Sequence, residues 1–328
     1  MQENINGAED PSPEGISTDL AIRTERLTKR FGDLIAIDAV DLEVRRGELF
    51  GLVGPDGAGK TTMMRLLTAI MEPTSGEAWV AGHSVRREGE LLKEKIGYMS
   101  QRFGLYEDLT VIENVLFYAD LYGVPERERG PRIERLLGFS NLTPFQERLA
   151  GNLSGGMKQK LGLACALIHT PEVLFLDEPT SGVDPVSRRD FWKILYELLR
   201  EGITLFVSTS YLDEAERCTR VALIDHGRIL STDDPGRMRK RFPLPMIEIA
   251  TSRGREARSV IEGISGVKRV NVYGDRLHVA LLEPGVVTNI EAAAKGLGIP
   301  SQAIRSIEPS LEDVFIFMIS ESGARKEE

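Results

Sequence analysis

LFGLVGPDGAGKTTMMRLL, Leu49 to Leu67, decides how this chain is to be read. Its first five residues are apolar or small and bounded by a glycine-rich turn, the pattern of a strand buried on both faces. The turn is Gly54-Pro55-Asp56-Gly57-Ala58-Gly59, and Lys60-Thr61-Thr62 opens a helix with apolar residues at Met63, Leu66, Leu67 and Ile70. The spacing is G-x-x-x-x-G-K-[ST]: glycines let backbone N–H groups curl around phosphate oxygens, and the helix N-terminus adds partial positive charge. Lys60 would reach the β- and γ-phosphates, and the Thr61 hydroxyl would ligate Mg²⁺. The plain alternative is a glycine turn that holds nothing.

Working outward, EVLFLDEPT supplies a second buried strand, Val173 to Leu176, ending in Asp177-Glu178. Asp177 is placed to hold Mg²⁺. Glu178 is placed to polarise a water for attack on a γ-phosphate. Between the two lies NLSGGMKQKLGLACALIHTP, where Ser154-Gly155-Gly156 opens a helix with an apolar face of Leu161, Ala164, Cys165 and Ile168. By itself such a turn is a serine cap with two permissive glycines.

Bulk properties bound the rest. The chain has 328 residues, 41% hydrophobic and 28% charged, with net charge −9 from 41 basic and 50 acidic residues. That balance argues against general nucleic-acid binding, which needs a basic surface. Cys165 and Cys218 are expected as small core residues, in keeping with a reducing cytoplasm. No apolar run approaches the ~18 residues of a membrane span. Residues 1–20 and 321–328 are expected as disordered tails.

Taken together, LSGGMKQ (Leu153 to Gln159), Gln101 in YMSQ, SGVDP (Ser181 to Pro185), the acid pair and the phosphate loop resemble the ATP-binding cassette (ABC) ATPases. The resemblance covers about 21–232. It implies an α/β fold, a P-loop NTPase cassette with a RecA-like core, an antiparallel β subdomain and a helical subdomain at about 101–168. It implies ATP and Mg²⁺ as ligands. Phe31 would stack adenine, the loop from Gly54 to Thr62 would hold phosphates, and Thr61, Gln101 and Asp177 would hold the metal. Two cassettes would pair head to tail, with Ser154, Gly155 and Gly156 of one facing the γ-phosphate on Lys60 of the other and Asp184 at the seam. Gln101 would join the metal site to a membrane subunit. In LTVIENVLFYADLYG, Thr110 and Glu113 form a capping-box pattern, with Ile112, Val115, Leu116 and Ala119 at helical spacing. The resemblance makes the outer surface of this insert a groove for the membrane subunit.

At one residue expected to touch the γ-phosphate the cassette departs from pattern. Most relatives place a histidine after the ST pair of VSTSYLDEAE; here it is Ser210, and His83, His169, His226 and His278 all lie elsewhere. Serine offers a shorter, uncharged hydrogen bond. Glu178, Gln101 and Ser210 are the expected catalytic residues, and hydrolysis is expected to be slowed or partner-dependent.

Asp225-His226-Gly227 reads as a hairpin turn, and 233–245 as a linker. The order from Met246 to about 320 is β-α-β-β-α-β, that of a small ferredoxin-like α+β domain, and a last helix opens at Ser310 with Asp313. No catalytic constellation appears there. With this tail the chain resembles the ATPases of ABC-2-type exporters, drug exporters among them. It is similar above all to the first cassette of a tandem-cassette export ATPase. The implied partners are ABC-2-type permease subunits and a second cassette, identical or different, and not nucleic acid. The protein would sit on the cytoplasmic face of the membrane only through its permease. A mainly ATP-binding regulatory cassette and a non-transport ABC protein are the other readings.

Overall fold

A computed structural model describes residues 19–101 and 104–324. The tail expected at 1–20 falls outside these residues except for its end, where the first strand already starts at Leu20. Two compact units emerge. The first runs to Ser210 and takes in Ile224–Ile229; the second comprises Tyr211–Leu223 and the chain from Leu230 onward.

In the first unit, β1 (Leu20–Phe31) and β2 (Leu34–Arg45) precede β3 (Leu49–Val53) and α1 (Lys60–Leu67). Then come β4 (Ser75–Val80), β5 (His83–Ser84), α2 (Gly89–Lys95) and β6 (Ile96–Met99). Three helices follow, α3 (Val111–Leu121), α4 (Glu126–Phe139) and α5 (Gly155–Leu167), before β7 (Val173–Asp177), α6 (Pro185–Arg200) and β8 (Thr204–Thr209). Strands β3, β8, β7 and β6 pair in parallel in that order. Every residue of β3, β7 and β8 is buried, as the unbroken apolar runs require, and Phe50 stacks on Phe206 at 5.5 Å. The site lies where a parallel sheet puts it, past the carboxyl ends of these strands. A separate antiparallel sheet takes the order β2-β1-β4-β5.

The helical insert α3–α5 has its own core of Val111, Val115, Leu137, Leu161, Cys165 and Ile168. Thr110 caps α3 with both bonds of the capping box formed. The buried face is turned slightly from the expected one. Val111 and Asn114 are buried with Val115 and Ala119, while Ile112 and Leu116 only flank the core. The first helix also differs from expectation: α1 stops at Leu67, so Ile70 lies beyond it and is exposed.

After α7 (Leu212–Ala215), the strands β9 (Arg220–Asp225) and β10 (Arg228–Asp233) turn through His226-Gly227, both at positive φ, as a two-residue hairpin demands. The second unit continues with α8 (Pro235–Lys240), β11 (Met246–Ala250), α9 (Gly254–Glu262), β12 (Val267–Tyr273), β13 (Arg276–Leu281), α10 (Val287–Gly296), β14 (Ile304–Ile307) and α11 (Leu311–Ala324). Its antiparallel sheet has the order β12-β13-β11-β14. Helices α9 and α10 supply Ala257, Ile261, Ile290 and Ala294 to one apolar core with the sheet. The stretch 233–245 holds a helix: Asp234 caps α8 through the Arg237 N–H, Pro235 sits at its first position, and Met238 is buried. At the other end α11 runs to Ala324, further than the expected start of the tail at 321.

Candidate active site

The glycine-rich loop is shaped by what surrounds it. Gly59 has φ 107, and a Cβ there would come within 2.5 Å of the Ala36 carbonyl oxygen, so only glycine fits. No side chain caps α1, whose first turn carries Lys60, Thr61 and Thr62. The helix thus presents its N–H groups and partial positive charge to the loop. Gly57 leaves open space on its Cβ side. Asp56 is 94% exposed, with its carboxylate 3.9 Å from the Lys60 ammonium.

Lys60 is buried and turned inward. Its Nζ donates to the carbonyls of Gly54 (2.8 Å) and Pro55 (3.0 Å) and lies 3.1 Å from Glu178 Oε1. The other Glu178 oxygen accepts from Gln101 Nε2 at 3.1 Å. The fold thus joins three expected site residues from three segments far apart in sequence. Glu178 has φ 48, and its N–H donates to the Ser208 backbone and hydroxyl oxygens, both 3.1 Å away. This left-handed step turns Glu178 away from the direction of its neighbour Asp177.

Asp177 is 1% exposed and accepts from Ser208 Oγ at 2.6 Å through Oδ1. Its Oδ2 has no hydrogen-bond partner among the described residues. A buried carboxylate oxygen without a partner is costly, and a cation removes that cost. The donor set of Asp177, Thr61 and Gln101 is all oxygen, counting the Gln101 amide carbonyl, which suits Mg²⁺. Burial, and then the charge of Asp177, push the Tyr98 hydroxyl on β6 up to about 12, so it stays protonated beside the site.

Ser210 follows β8 directly and is exposed. Phe31 is half-exposed, its ring 5.3 Å from the Lys29 ammonium. On α5, Ser154 accepts from the Met157 N–H and is exposed, as is Gly155. Gly156 is buried instead. Asp184 caps α6, accepting from Val186 N at 3.0 Å and Ser187 N at 2.9 Å. Sequence reasoning missed Asn114. It is wholly buried, accepts from Tyr106 N and donates to the carbonyls of Tyr106, Leu109 and Thr110, clamping the loop ahead of α3. Its only signal was a polar residue on an apolar helix face.

Comparison with known proteins fits this geometry. Residues 37–181 match the family model described as ABC transporter. The Nod factor export ATP-binding protein I of Rhizobium sp. (strain N33) is 36% identical over 299 residues, covering 90% of this chain and 96% of that protein. The chain belongs to the ATP-binding proteins of ABC transporters. The daunorubicin resistance ATP-binding protein DrrA2 of Streptomyces coeruleorubidus is 34% identical, with 90% and 94% covered. The probable multidrug ABC transporter ATP-binding protein YbhF of Escherichia coli (strain K12) is 42% identical over 310 residues. That match covers 93% of this chain but 53% of YbhF, so the chain spans about half of that relative's length. Among solved structures, a dimeric ATP-binding cassette bound to ADP and Pi superposes with TM-score 0.60 at 26% identity, over 65% of this chain and 98% of that one. CbiO1 from Clostridium perfringens, part of an ABC transporter complex, gives 0.62 at 28%, over 69% and 96%. The cassette fold expected from the motifs is the fold found.

Proposed function

We propose that this cassette is the ATP-hydrolysing subunit of an ABC-2-type exporter, driving a separate permease in export of a drug, lipid or other small molecule. One observation carries the reading: the Glu178 carboxylate is held between the Lys60 ammonium and the Gln101 amide, beside the unpartnered oxygen of Asp177. Phosphate oxygens entering the loop compete with Glu178 for Lys60. Glu178, so released, is free to take a proton from the attacking water, with Gln101 orienting both. Thr61, Gln101 and Asp177 hold Mg²⁺, which when bound neutralises charge on the β- and γ-phosphate oxygens. Residues Gly54 to Thr62 cradle the triphosphate and Phe31 stacks adenine. Ser154 with the adjoining glycines completes the site of a second cassette, the same chain or another.

For the permease we offer a hollow in the first unit of about 630 Å³, lined in part by Ile70, Tyr98, Glu90 and Lys93 and, from the insert, Leu121 and Tyr122. An apolar floor with charged edges suits a short amphipathic helix. No described helix is long and apolar enough to cross a membrane, in keeping with attachment at the cytoplasmic face through the permease. We read residues 21–232 as the cassette and the β-α-β-β-α-β order of the second unit as a ferredoxin-like domain with a docking or regulatory task.

Ser210 favours a second reading, a cassette that binds ATP and closes but turns over slowly without a partner. The test of the main reading is Glu178→Gln in the purified chain. Turnover should fall by about 10²–10⁴-fold and an ATP-bound dimer should accumulate on size-exclusion chromatography. Hydrolysis at the unaltered rate would place the base elsewhere.

A further inference from the structure

The two glycines that open α5 are not equivalent. A Cβ on Gly155 would meet nothing within 4 Å. A Cβ on Gly156 would lie 2.5 Å from Ser187 Oγ and 2.6 Å from Ser187 Cβ, with Val183 Cγ1 next at 3.8 Å. Gly156 is therefore glycine because Ser187, in the first turn of α6, occupies the place of its side chain. Ser187 also faces the other way: its N–H donates to Asp184 Oδ1 at 2.9 Å. Its hydroxyl also bonds that carboxylate, which with the Ser187 and Val186 N–H groups holds Asp184 below the usual carboxylate range. One serine thus touches both the turn that carries Ser154 and the aspartate that caps α6. Both helix starts are tied down by their own caps, Ser154 on α5 and Asp184 on α6. Ser187 thus fills the space beside Gly156, and at this spacing the two helix starts leave no room for a second side chain between them.

We infer that Ser187 is a positioning residue that locks the Ser154–Gly156 turn to Asp184, so that two loops facing the partner cassette move as one piece. The inference rests on the proposed pairing of cassettes. It assigns a task to a residue outside every motif that carried the functional reading. It also changes what Gly156 is for. Its backbone N–H would survive replacement by alanine, but the fit against Ser187 would not.

The experiment uses the full chain and two readouts, ATP turnover and ATP-driven dimerisation in a Glu178→Gln background. Gly156→Ala should lower both, turnover by on the order of tenfold to a hundredfold, with ATP affinity of the monomer unchanged within about twofold, since the cassette's own phosphate loop is untouched. Adding Ser187→Gly removes the obstructing side chain and should restore most of the loss. Ser187→Val overfills the joint from the opposite side with Gly156 intact, and should reproduce the Gly156→Ala defect even where that variant folds poorly. A double variant no better than Gly156→Ala, or full turnover in Ser187→Val, overturns the inference. A wild-type chain that neither hydrolyses ATP nor pairs with it sinks the functional reading, and the joint's role with it.

Discussion

The two units of this chain each gather charge at one place, and they treat it oppositely. In the second unit, Glu248 on β11 meets Arg276 on β13 at 3.0 Å and Arg305 on β14 at 2.8 Å. Asp313 on α11 meets His278 Nδ1 at 2.8 Å, the Ser310 hydroxyl at 2.7 Å and the Tyr273 hydroxyl at 3.2 Å. Glu248 and Asp313 are 7% and 2% exposed, and both are met by donors, two guanidiniums for Glu248 and an imidazole with two hydroxyls for Asp313. In the first unit, Asp177 is as deeply buried, yet one of its oxygens has no hydrogen-bond partner among the described residues. Glu178 shares its one ammonium with two carbonyls. A closed network holds a fold together, whereas an open one has capacity left for a ligand. The difference separates a scaffold from a site without reference to any motif.

The sharpest way to break this comparison is to neutralise one buried carboxylate in each unit. Asp177→Asn keeps the acceptor for Ser208, removes the charge and replaces the open oxygen by an NH2 donor. Turnover with Mg-ATP should fall by about 10²–10³-fold, while hydrogen-exchange protection of β7 stays at the wild-type level. Asp313→Asn should do the reverse. Turnover persists, and the His278 side of the network loses its counter-charge, costing about 1–3 kcal/mol of local stability, read as lost protection in α11. If Asp177→Asn unfolds the first unit with no specific loss of turnover, the open network is structural too.

Next in size is Ser210→His. A histidine after β8 adds a longer, chargeable donor at the place where the family resemblance leads one to be expected. Turnover should rise by roughly tenfold, below the 10²–10³ that a well-placed transition-state donor is worth, because the surrounding loop evolved around serine. A rate that stays flat would mean that Ser210 is no handicap, and that slow turnover, if measured, has another cause.

How much of this was legible in the sequence depended on how far apart the interacting residues lie. Local rules placed β3 at Leu49–Val53 and the capping box of α3 with both its bonds. They also placed the His226-Gly227 turn, where the partners are neighbours. The meeting of Lys60, Gln101 and Glu178 was expected only through the family resemblance, since nothing in spacing brings them together. The Gly156–Ser187 contact was not legible at all: a glycine at a helix start has the same local signal whether it faces a ligand or another helix. Nor was the end of α1 before Ile70, because apolar periodicity continues past the point where the chain turns out to line a groove. Asn114 was missed, and 233–245 was read as a linker, for a related reason. Their polar residues read as surface, yet Asn114 bonds backbone inside the insert and Asp234 caps a helix that buries Met238.

The smallest effect tests whether the closed network is a charge network at all. His278 is faced by Glu248 on β11, the Tyr273 ring on β12 and Asp313 on α11, with the Glu312 charge nearby, while Arg276 and Arg305 pair with Glu248 instead. The hydrogen bond to Asp313 raises the His278 pKa above its ordinary value, against burial, with the charges of Asp313 and Glu248 adding. Burial works to raise Asp313, but the bonds from His278 and Ser310 outweigh it and hold that carboxyl low. A raised histidine contributes fully below about pH 6.5 and loses its contribution as pH rises through the folded value. The lowered aspartate contributes above its ordinary range and fails only in acid. Protection of α11 in the wild type, measured against His278→Gln, should therefore be greatest near pH 6 and shrink toward pH 9, while β3 and β8 show no such trend. Parallel pH profiles in α11 for the two proteins would mean that the imidazole is held neutral, and that Asp313 anchors the helix through Ser310 and Tyr273 alone.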